Sequence, residues 1–246
     1  MDNFKKYADF YDKIYKEKNY QEEAEFVKKV IKDCSSVKVD DILSLGCGTA
    51  SHDILLAKSG FKILGIDGSP EMIGIAEQKA KKENADVRFK IADISEFEIS
   101  EKFDFAMAMF NVVGYMIENE TMEKMLQSVS GSLKNEALFV FDCWYGPAVL
   151  KSRPEDREKI IGEGIIRKTK QKLEIEKSIV DIKFEIMESG VVKAEENHKM
   201  RFWYLQELKY FLENNNFRLV KACNFLALDS NISEDNWNIF IVARKQ

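Results

Sequence analysis

Short apolar runs and amphipathic segments alternate along the first 143 residues of the chain. The apolar runs predict strands at residues 42–45, 61–66, 87–91, 103–110 and 137–143. Segments predicted as helices lie between them at residues 51–58, 70–84 and 119–133. Strands that alternate with helices in this way form a parallel sheet with helices on its faces, so the pattern predicts an α/β fold.

The pattern changes after residue 143. Residues 164–170, 174–186 and 198–204 are alternating or β-rich, which predicts a small antiparallel sheet inserted into the main fold. A helix at 205–214 and an antiparallel pair of strands at 217–223 and 237–243 then return to the edge of the main sheet. We expect one domain from residues 1–144 and 205–246, and an inserted subdomain from residues 145–204 that covers the mouth of the site.

Two helices are predicted within residues 4–34, the second at 21–32. Phe4, Tyr7, Tyr11 and Tyr15 recur at steps of three and four residues, so they share one helical face. This aromatic stripe either packs on the core or faces a ligand.

The clearest chemical signal lies between the first two strands. Gly46 and Gly48 follow the first strand directly, and without a Cβ they let the backbone turn sharply and approach a ligand. Asp67 lies at the tip of the second strand, where a carboxylate accepts hydrogen bonds from ribose hydroxyls. The dinucleotide fingerprint G-x-G-x-x-G is incomplete, because its third glycine would fall at Ser51. The turn therefore predicts a nucleoside-type ligand smaller than a dinucleotide.

The run LSLGCGTASHDILLAKSGFKILGIDGSPEMIGIAEQKA resembles the cofactor site of class I S-adenosylmethionine-dependent methyltransferases, whose usual forms are LDLGCGTG and GxDxSxxMlxxA. The resemblance covers most of the chain. It implies a Rossmann-like, seven-stranded, mostly parallel sheet whose last strand is antiparallel, with S-adenosylmethionine as cofactor and S-adenosylhomocysteine as product. Two positions depart from the family. The acidic residue usual before the first glycine, which steadies the site near the methionine amino group, is Ser44, and the last glycine of the motif is Ala50.

The resemblance also implies which residues hold the cofactor. Asp93 occupies the position that accepts from the adenine amino group, and Ile94 the position that covers the ring. Met72 is expected to pack against the adenine or the ribose, and Tyr7 and Tyr11 match lid-helix tyrosines that close over the cofactor. The complete predicted set is Tyr7, Tyr11, Gly46, Cys47, Gly48, His52, Asp67, Gly68, Met72, Asp93, Ile94, Met109 and Phe110.

The acceptor is expected at the turn that follows the fourth strand, because parallel sheets bind ligands at the carboxyl ends of their strands. This turn, AMFNVVGYM, resembles the SMFxxxGyL of sugar amino-group methyltransferases. It lacks the Asn/Asp-Pro-Pro-Tyr/Phe motif of amino-methyltransferases that act on nucleic-acid bases or glutamine. The predicted substrate-binding residues are Asn111, Tyr115, Trp144, Tyr145 and His198. Tyr11 and His198 are the candidates for a catalytic role, and His198 shares one strand face with Met200 and Phe202.

The composition of the chain mainly excludes certain classes of partner and site. A formal net charge of −5 argues against a nucleic-acid partner. The cysteines, Cys34, Cys47, Cys143 and Cys223, form no CxxC pair, which fits reduced thiols in a cytoplasm and predicts no metal site. The chain shows no signal-peptide pattern and no apolar stretch long enough to span a membrane. We expect a cytoplasmic protein, monomeric or homodimeric, that acts on a small-molecule acceptor.

Methyl transfer from a sulfonium requires alignment and the removal of one proton. An amine needs little beyond alignment, whereas a hydroxyl needs a base. The sequence therefore predicts a methyltransferase acting on the amine of a small molecule, most similar to nucleotide-linked aminosugar N-methyltransferases. Two other functions fit the same residues: an O-methyltransferase on a small metabolite, and a protein that binds S-adenosylmethionine without turnover. A dehydrogenase is disfavoured because Ser51 breaks its fingerprint.

Overall fold

A computed structural model describes residues 8–246, apart from the side chain of residue 9. Helices and strands alternate through most of the N-terminal half, as the hydrophobic pattern predicts. The helices are α1 Ala8–Ile14, α2 Tyr20–Cys34, α3 Ser51–Lys58, α4 Pro70–Lys82, α5 Asn119–Ser132, α6 Gly146–Lys151 and α7 Leu205–Asn214. The strands are β1 Asp41–Leu45, β2 Lys62–Asp67, β3 Val87–Ile91, β4 Phe103–Ala108, β5 Leu133–Trp144, β6 Arg157–Gly162, β7 Ile165–Glu174, β8 Ile179–Glu188, β9 Val191–Arg201, β10 Phe217–Asn224 and β11 Asn238–Lys245.

The main sheet of the described chain has seven strands in the order β10-β11-β5-β4-β1-β2-β3. Strands β1 to β5 are parallel, and β11 runs antiparallel to both β5 and β10. All six residues of β4 are buried, because helices cover both faces of a mostly parallel sheet. The predicted Rossmann-like sheet with an antiparallel last strand is confirmed. That last strand lies one position inside the sheet, so that β10 forms the edge.

The strand order places a crevice at the carboxyl end of β1. The chain leaves β1 toward β2 and β3 on one side, and β4 and β5 continue the sheet on the other. Ligands of open α/β sheets bind at such a switch point. The turn after β1, the tip of β2 and the turn after β4 therefore meet at one edge of the sheet.

The inserted sheet has four antiparallel strands in the order β6-β7-β8-β9. The inserted antiparallel sheet is thus confirmed, but the β-rich segment at 174–186 is not one continuous strand. A 3₁₀ turn at Ile175–Lys177 and a left-handed Ser178 (φ 56°) separate β7 from β8 there. Strands β6 and most of β9 were not predicted, since β9 buries the polar Glu196 and exposes Val191. The division into a domain and a subdomain stays a prediction.

The turn after β4 also differs from the predicted strand at 103–110. Strand β4 ends at Ala108, because Phe110 (φ 75°) and Asn111 (φ 55°) both adopt left-handed backbone conformations. A strand cannot continue through two such residues. No helix within residues 8–246 combines the length and the apolar character needed to cross a membrane.

Candidate active site

The glycine turn, residues 46–49, lies between β1 and α3. Gly46 (φ 60°) and Gly48 (φ 54°) both adopt the left-handed backbone conformation that disfavours other residues. A Cβ built on Gly46 would lie 2.7 Å from a methyl carbon of Val112, which belongs to the turn after β4. A Cβ on Gly48 would meet nothing within 4 Å. The backbone at Gly48 therefore faces open space, as the approach of a ligand requires.

Ala50 directly follows the glycine turn and is the N-cap residue of α3, in a left-handed conformation with φ 61°. The family's usual glycine would adopt this conformation without strain. The Ala50 methyl group is fully buried and packs with Ile54, Ala76 and Ala80. The departure from the family's motif therefore leaves the shape of the turn intact and adds an apolar contact between α3 and α4.

Asp67 closes the site at the tip of β2. One carboxylate oxygen accepts the Gly48 N–H at 2.9 Å and the other accepts the Ser69 N–H at 2.9 Å. Burial raises the pKa of Asp67, and the hydrogen bonds that it accepts oppose the rise. Gly68 follows, and the Ser69 hydroxyl caps α4 by accepting the Met72 N–H at 3.2 Å. Asp67 thus ties the glycine turn to the start of α4.

The residues predicted to surround the adenine lie along the neighbouring strand tips. Asp93 follows β3 and accepts hydrogen bonds from the Ser95 N–H and hydroxyl at 2.9 and 2.7 Å. Ile94 is half-buried, and Met72 is buried in the first turn of α4. Met109 lies in the core cluster beneath α2 and α3, so its side chain packs among apolar residues.

The turn after β4 is held by one buried carboxylate. Asp142 on β5 accepts the backbone N–H of Phe110 at 2.5 Å and that of Asn111 at 2.9 Å. Burial raises the pKa of Asp142 to about 6, although the two accepted hydrogen bonds oppose this rise. The Asn111 side-chain oxygen accepts the Trp144 N–H at 3.3 Å. Asp142 therefore fixes two left-handed residues at the place where transfer is expected.

His198 of the inserted sheet reaches the main sheet through Tyr115. The Tyr115 hydroxyl lies 2.9 Å from His198 Nδ1, and the two rings are 5.9 Å apart. His198 is only 3% exposed, and burial lowers its pKa to about 4. The Phe184 ring packs on the imidazole at 5.2 Å. The structure thus brings two predicted substrate residues into direct contact, with a neutral imidazole.

The two aromatic residues at the end of β5 pack in different apolar clusters. Trp144 packs on Trp237 at 5.4 Å and belongs to the apolar cluster between β5 and the inserted sheet. Tyr145 packs against the main core, and its N–H donates to the Trp237 carbonyl at 2.7 Å. Of the two, Trp144 lies with Tyr115 and the inserted sheet.

Helix α1, which the resemblance predicts to be a lid, and Tyr15 directly after it approach the site through the aromatic stripe. Tyr11 packs on Tyr15 at 4.8 Å, and Tyr15 in turn makes an edge contact with Phe110 at 5.0 Å. The Lys18 ammonium lies 4.3 Å from the Phe110 ring centre. Tyr7, predicted to close over the cofactor, lies outside the described residues. Within the described part, Tyr15 of the stripe touches Phe110 in the turn after β4.

A polar contact also joins α1 to the glycine turn. The Thr49 hydroxyl donates to Asp12 at 2.7 Å, and the Lys79 ammonium pairs with the same carboxylate at 3.1 Å. Lys79 further donates to the Ser51 hydroxyl at 2.8 Å. We call this group of Asp12, Thr49 and Lys79 the lid latch.

His52 lies beside the site rather than at its surface. Its Nε2 is 2.6 Å from a carboxylate oxygen of Glu23, which also pairs with Lys18. The Tyr20 ring packs on His52 at 5.0 Å. The role predicted for His52 in cofactor binding stays a prediction.

Sequence reasoning missed several residues of this site. Tyr15 belongs to the stripe already identified, so a signal for it was present. Lys18 and Asp12 carry no local signal, because their partners lie on other elements. Among the described residues, no three His, Cys, Asp or Glu side chains come together in a way that could hold a metal ion.

The site fits an S-adenosylmethionine-type ligand on structural grounds. The backbone is open at Gly48, and Asp67 stands beside it at the strand tip. These are the two features that a nucleoside with a ribose diol requires.

Comparison with known proteins finds a matching domain family for part of the chain and a matching fold for nearly all of it. Residues 42–136 match the methyltransferase domain family. The chain's fold is that of an S-adenosylmethionine-dependent methyltransferase from Clostridium acetobutylicum, with a TM-score of 0.83, 21% identity and 98% coverage of each chain. The comparisons thus support the resemblance over residues 42–136 and confirm the fold over nearly the whole chain.

Two relatives are similar over a little more than half of the chain. A protein of Geobacillus sp. (strain WCH70) with a provisional methyltransferase name is 30% identical over 139 residues, 56% of each chain. A dTDP-3-amino-3,6-dideoxy-alpha-D-glucopyranose N,N-dimethyltransferase of Streptomyces fradiae is 25% identical over 142 residues, 57% of this chain and 54% of that protein. The chain thus matches about half the length of each of these relatives.

Proposed function

We propose that the protein transfers a methyl group from S-adenosylmethionine to an amine of a small molecule, and that the acceptor is a nucleotide-linked amino sugar. S-adenosylmethionine supplies an activated methyl group on a sulfonium. The chain's own residues have to bind the two ligands, orient them and exclude water from around them. On this reading Asp67, Gly48 and Asp93 hold the nucleoside, and the turn of Phe110 and Asn111 faces the acceptor.

Among residues 8–246, the described side chains around the turn of Phe110 and Asn111 include no strong base, and this observation carries the choice of an amine. His198 is buried beside Tyr115, and a histidine whose pKa is about 4 is a poor acceptor for the proton of a hydroxyl. Asp142 already accepts two backbone N–H groups. An amine attacks through its lone pair and needs only alignment before it loses a proton to water.

A groove beside Trp144 supports a phosphate-bearing acceptor. It has a volume of about 560 Å³ and is lined by Leu150, Lys151, Ser152, Arg153, Glu155, Arg157 and Trp237. Trp237, which lines the groove, packs directly on Trp144. Lys151 is paired with Glu234 and Asp235, whereas Arg153 and Arg157 are exposed. Guanidinium groups beside an aromatic ring suit a nucleoside diphosphate.

The name of the Streptomyces fradiae relative points the same way. That protein's name gives a dTDP-linked amino sugar as its substrate and a dimethylated amine as its product. Because the similarity covers only about half of each chain, it supports the proposal without defining the sugar.

Mass spectrometry of the products tests this proposal. Purified protein and S-adenosylmethionine are incubated with nucleotide-linked amino sugars, simple amines and the hydroxyl analogues of the same sugars. We expect the mass of one or two methyl groups on the amino sugars and none on the hydroxyl analogues. The double variant Arg153→Ala/Arg157→Ala should raise KM for a nucleotide-linked acceptor about tenfold, the size of a charged hydrogen bond. An exposed control on α7, Lys209→Ala, should leave KM unchanged.

Each other outcome selects a different function. Methylation of the hydroxyl analogues would establish an O-methyltransferase. Silence across the panel, with S-adenosylhomocysteine still bound, would contradict the amino-sugar acceptor. Failure to bind S-adenosylhomocysteine would contradict the cofactor itself.

A further inference from the structure

The ring of Phe110, at the turn after β4, lies against a lysine. Lys18 belongs to the loop between α1 and α2, and its ammonium is 4.3 Å from the centre of that ring. The Lys18 side chain is only 14% exposed, so the contact is largely shielded from water. A cation is attracted to the negative face of an aromatic ring, and more strongly where both are desolvated. The contact therefore restrains the Phe110 side chain.

A buried carboxylate fixes the position of this ammonium. Glu23, in the first turn of α2, accepts a hydrogen bond from Lys18 with one oxygen, and its other oxygen lies 2.6 Å from His52 Nε2. Both Glu23 and His52 are buried, and His52 lies in the first turn of α3, directly after the glycine turn. One chain of contacts thus links the turn after β4 to the start of α3 through the side chains of Phe110, Lys18, Glu23 and His52.

Stability alone does not explain why charges are buried at this place. Withdrawing an ammonium and a carboxylate from water costs free energy that their attraction only partly returns, so apolar side chains of similar size are often at least as stable. The Phe110 backbone does need support, because its φ of 75° is a conformation that bulky side chains rarely adopt. Asp142 holds the backbone N–H of Phe110, and Lys18 holds the ring. The two contacts restrain the two parts of one residue.

We propose that Lys18, held by Glu23 and His52, is a positioning residue for methyl transfer. It sets the position of Phe110 and thereby the alignment of the acceptor with the cofactor. The inference rests on the proposed function, in which the turn of Phe110 and Asn111 faces the acceptor. A displacement of about 1 Å in the reacting geometry can slow a reaction about a hundredfold, so a contact that fixes one side chain is sufficient to control the rate.

Kinetics, calorimetry and amide hydrogen exchange on three variants test this assignment. Lys18→Met removes the charge at similar length. Lys18→Met/Glu23→Gln removes both charges, while the glutamine can still hydrogen-bond to His52. Lys32→Met is the matched control, since Lys32 is an exposed lysine in the last turn of α2. The acceptor is the amino sugar that gains methyl groups in the product assay, and calorimetry measures the affinity of each variant for S-adenosylhomocysteine.

Lys18→Met should lower kcat about tenfold, the order of one desolvated contact between a cation and a ring. The amides of Phe110 and Asn111 should exchange at least about fivefold faster, because the turn opens more readily. S-adenosylhomocysteine affinity should change less than about threefold, since the nucleoside contacts are intact. The double variant should be as slow as Lys18→Met and should melt at no lower temperature, because no charge stays buried without its partner. The Lys32→Met control should match the original protein throughout.

Three results would overturn the inference. An unchanged kcat in Lys18→Met would show that the contact with Phe110 does not control transfer. Recovery of kcat in the double variant would show that Lys18 only neutralises Glu23, which is a structural role. A loss of S-adenosylhomocysteine affinity as large as the loss of kcat would assign Lys18 to cofactor binding instead. If the original protein methylates no acceptor, the proposed function fails, whereas amide exchange still decides whether Lys18 positions Phe110, and unchanged exchange in Lys18→Met contradicts it.

Discussion

At the residue scale, the site depends on backbone conformations that few side chains tolerate. Gly46 and Gly48 are left-handed on one side of the crevice, and Phe110 and Asn111 are left-handed on the other. The first pair needs no support, because glycine has no Cβ. The second pair costs about 1–3 kcal/mol per residue and is held by the Asp142 carboxylate. The two turns touch through Val112, which packs where a Gly46 side chain would lie.

Gly46→Ala should therefore disrupt cofactor binding. The new methyl group would overlap Val112 and add about 1–2 kcal/mol of left-handed strain, so the turn would have to shift. We expect S-adenosylhomocysteine affinity to fall at least about tenfold in a calorimetric titration. Gly74→Ala is the control, because Gly74 lies inside α4 with open space around it. That variant should bind normally and gain about 0.5–1 kcal/mol of stability. Normal binding by Gly46→Ala would contradict the packing of the two turns.

At the element scale, helix α1 is joined to the cofactor elements by side chains rather than by a continuous core. Its apolar face packs on the inserted sheet through Ile14, Ile186 and Ala194. Its polar face reaches the glycine turn and α4 through the lid latch. A short helix fixed in this way can move as a unit when the latch opens, because few buried contacts hold it.

Opening the lid latch should accelerate loss of the product from the site. Asp12→Ala removes the hydrogen bond to Thr49 and the ion pair to Lys79, together about 1–2 kcal/mol for groups that are partly exposed. The S-adenosylhomocysteine dissociation rate should rise about fivefold to tenfold in stopped-flow fluorescence.

Thr49→Val, which removes the same hydrogen bond from the glycine turn, should show part of the effect. Lys13→Ala, on the exposed side of the same helix, should show none. Equal dissociation rates in Asp12→Ala and the original protein would mean that α1 does not gate the site.

At the scale of the whole molecule, buried ionisable groups set how stability depends on pH. Burial lowers the pKa of His198 to about 4, so the folded protein prefers its neutral form. That contribution to stability is present above about pH 6.5 and is lost as the pH falls toward 4. Asp53 and Asp142 act oppositely, because burial raises the pKa of each carboxyl from 3.8 to about 6. Their contribution to stability is therefore lost as the pH rises from about 4 through 6, where ionisation destabilises the fold.

His198→Gln isolates the histidine contribution. The variant loses packing and the contact with Tyr115 at every pH, but it has no imidazole to protonate. The unfolding free energy of the variant should therefore be lower than that of the original protein at pH 7.5, and this difference should shrink by up to about 3 kcal/mol at pH 4. The magnitude follows from the lowering of the His198 pKa from 6.5 to about 4. Urea unfolding at several pH values measures this difference.

Asp53→Asn should show a pH dependence of stability opposite in sign to that expected from His198. Its stability relative to the original protein should improve as the pH rises from 4 to 7. Parallel stability curves for His198→Gln and the original protein would show that His198 titrates normally.

The local pattern of residues 41–67 was sufficient to predict the first strand, the glycine turn, α3 and the carboxylate at the tip of β2. Such features depend on neighbours within a few positions, namely the period of apolar residues and the lack of a Cβ at glycine. The same reasoning identified the inserted antiparallel sheet but not its four strands. Strand β9 alternates in burial without alternating in hydrophobicity, because Glu196 and His198 are buried polar residues.

Only the tertiary structure decided which polar groups meet inside the protein. Tyr115 and His198 are 83 residues apart, and Asp142 holds the turn at Phe110 from 32 residues away. Contacts between elements depend on how sheets and helices stack, and no periodicity along the chain encodes which buried partner completes a given polar group.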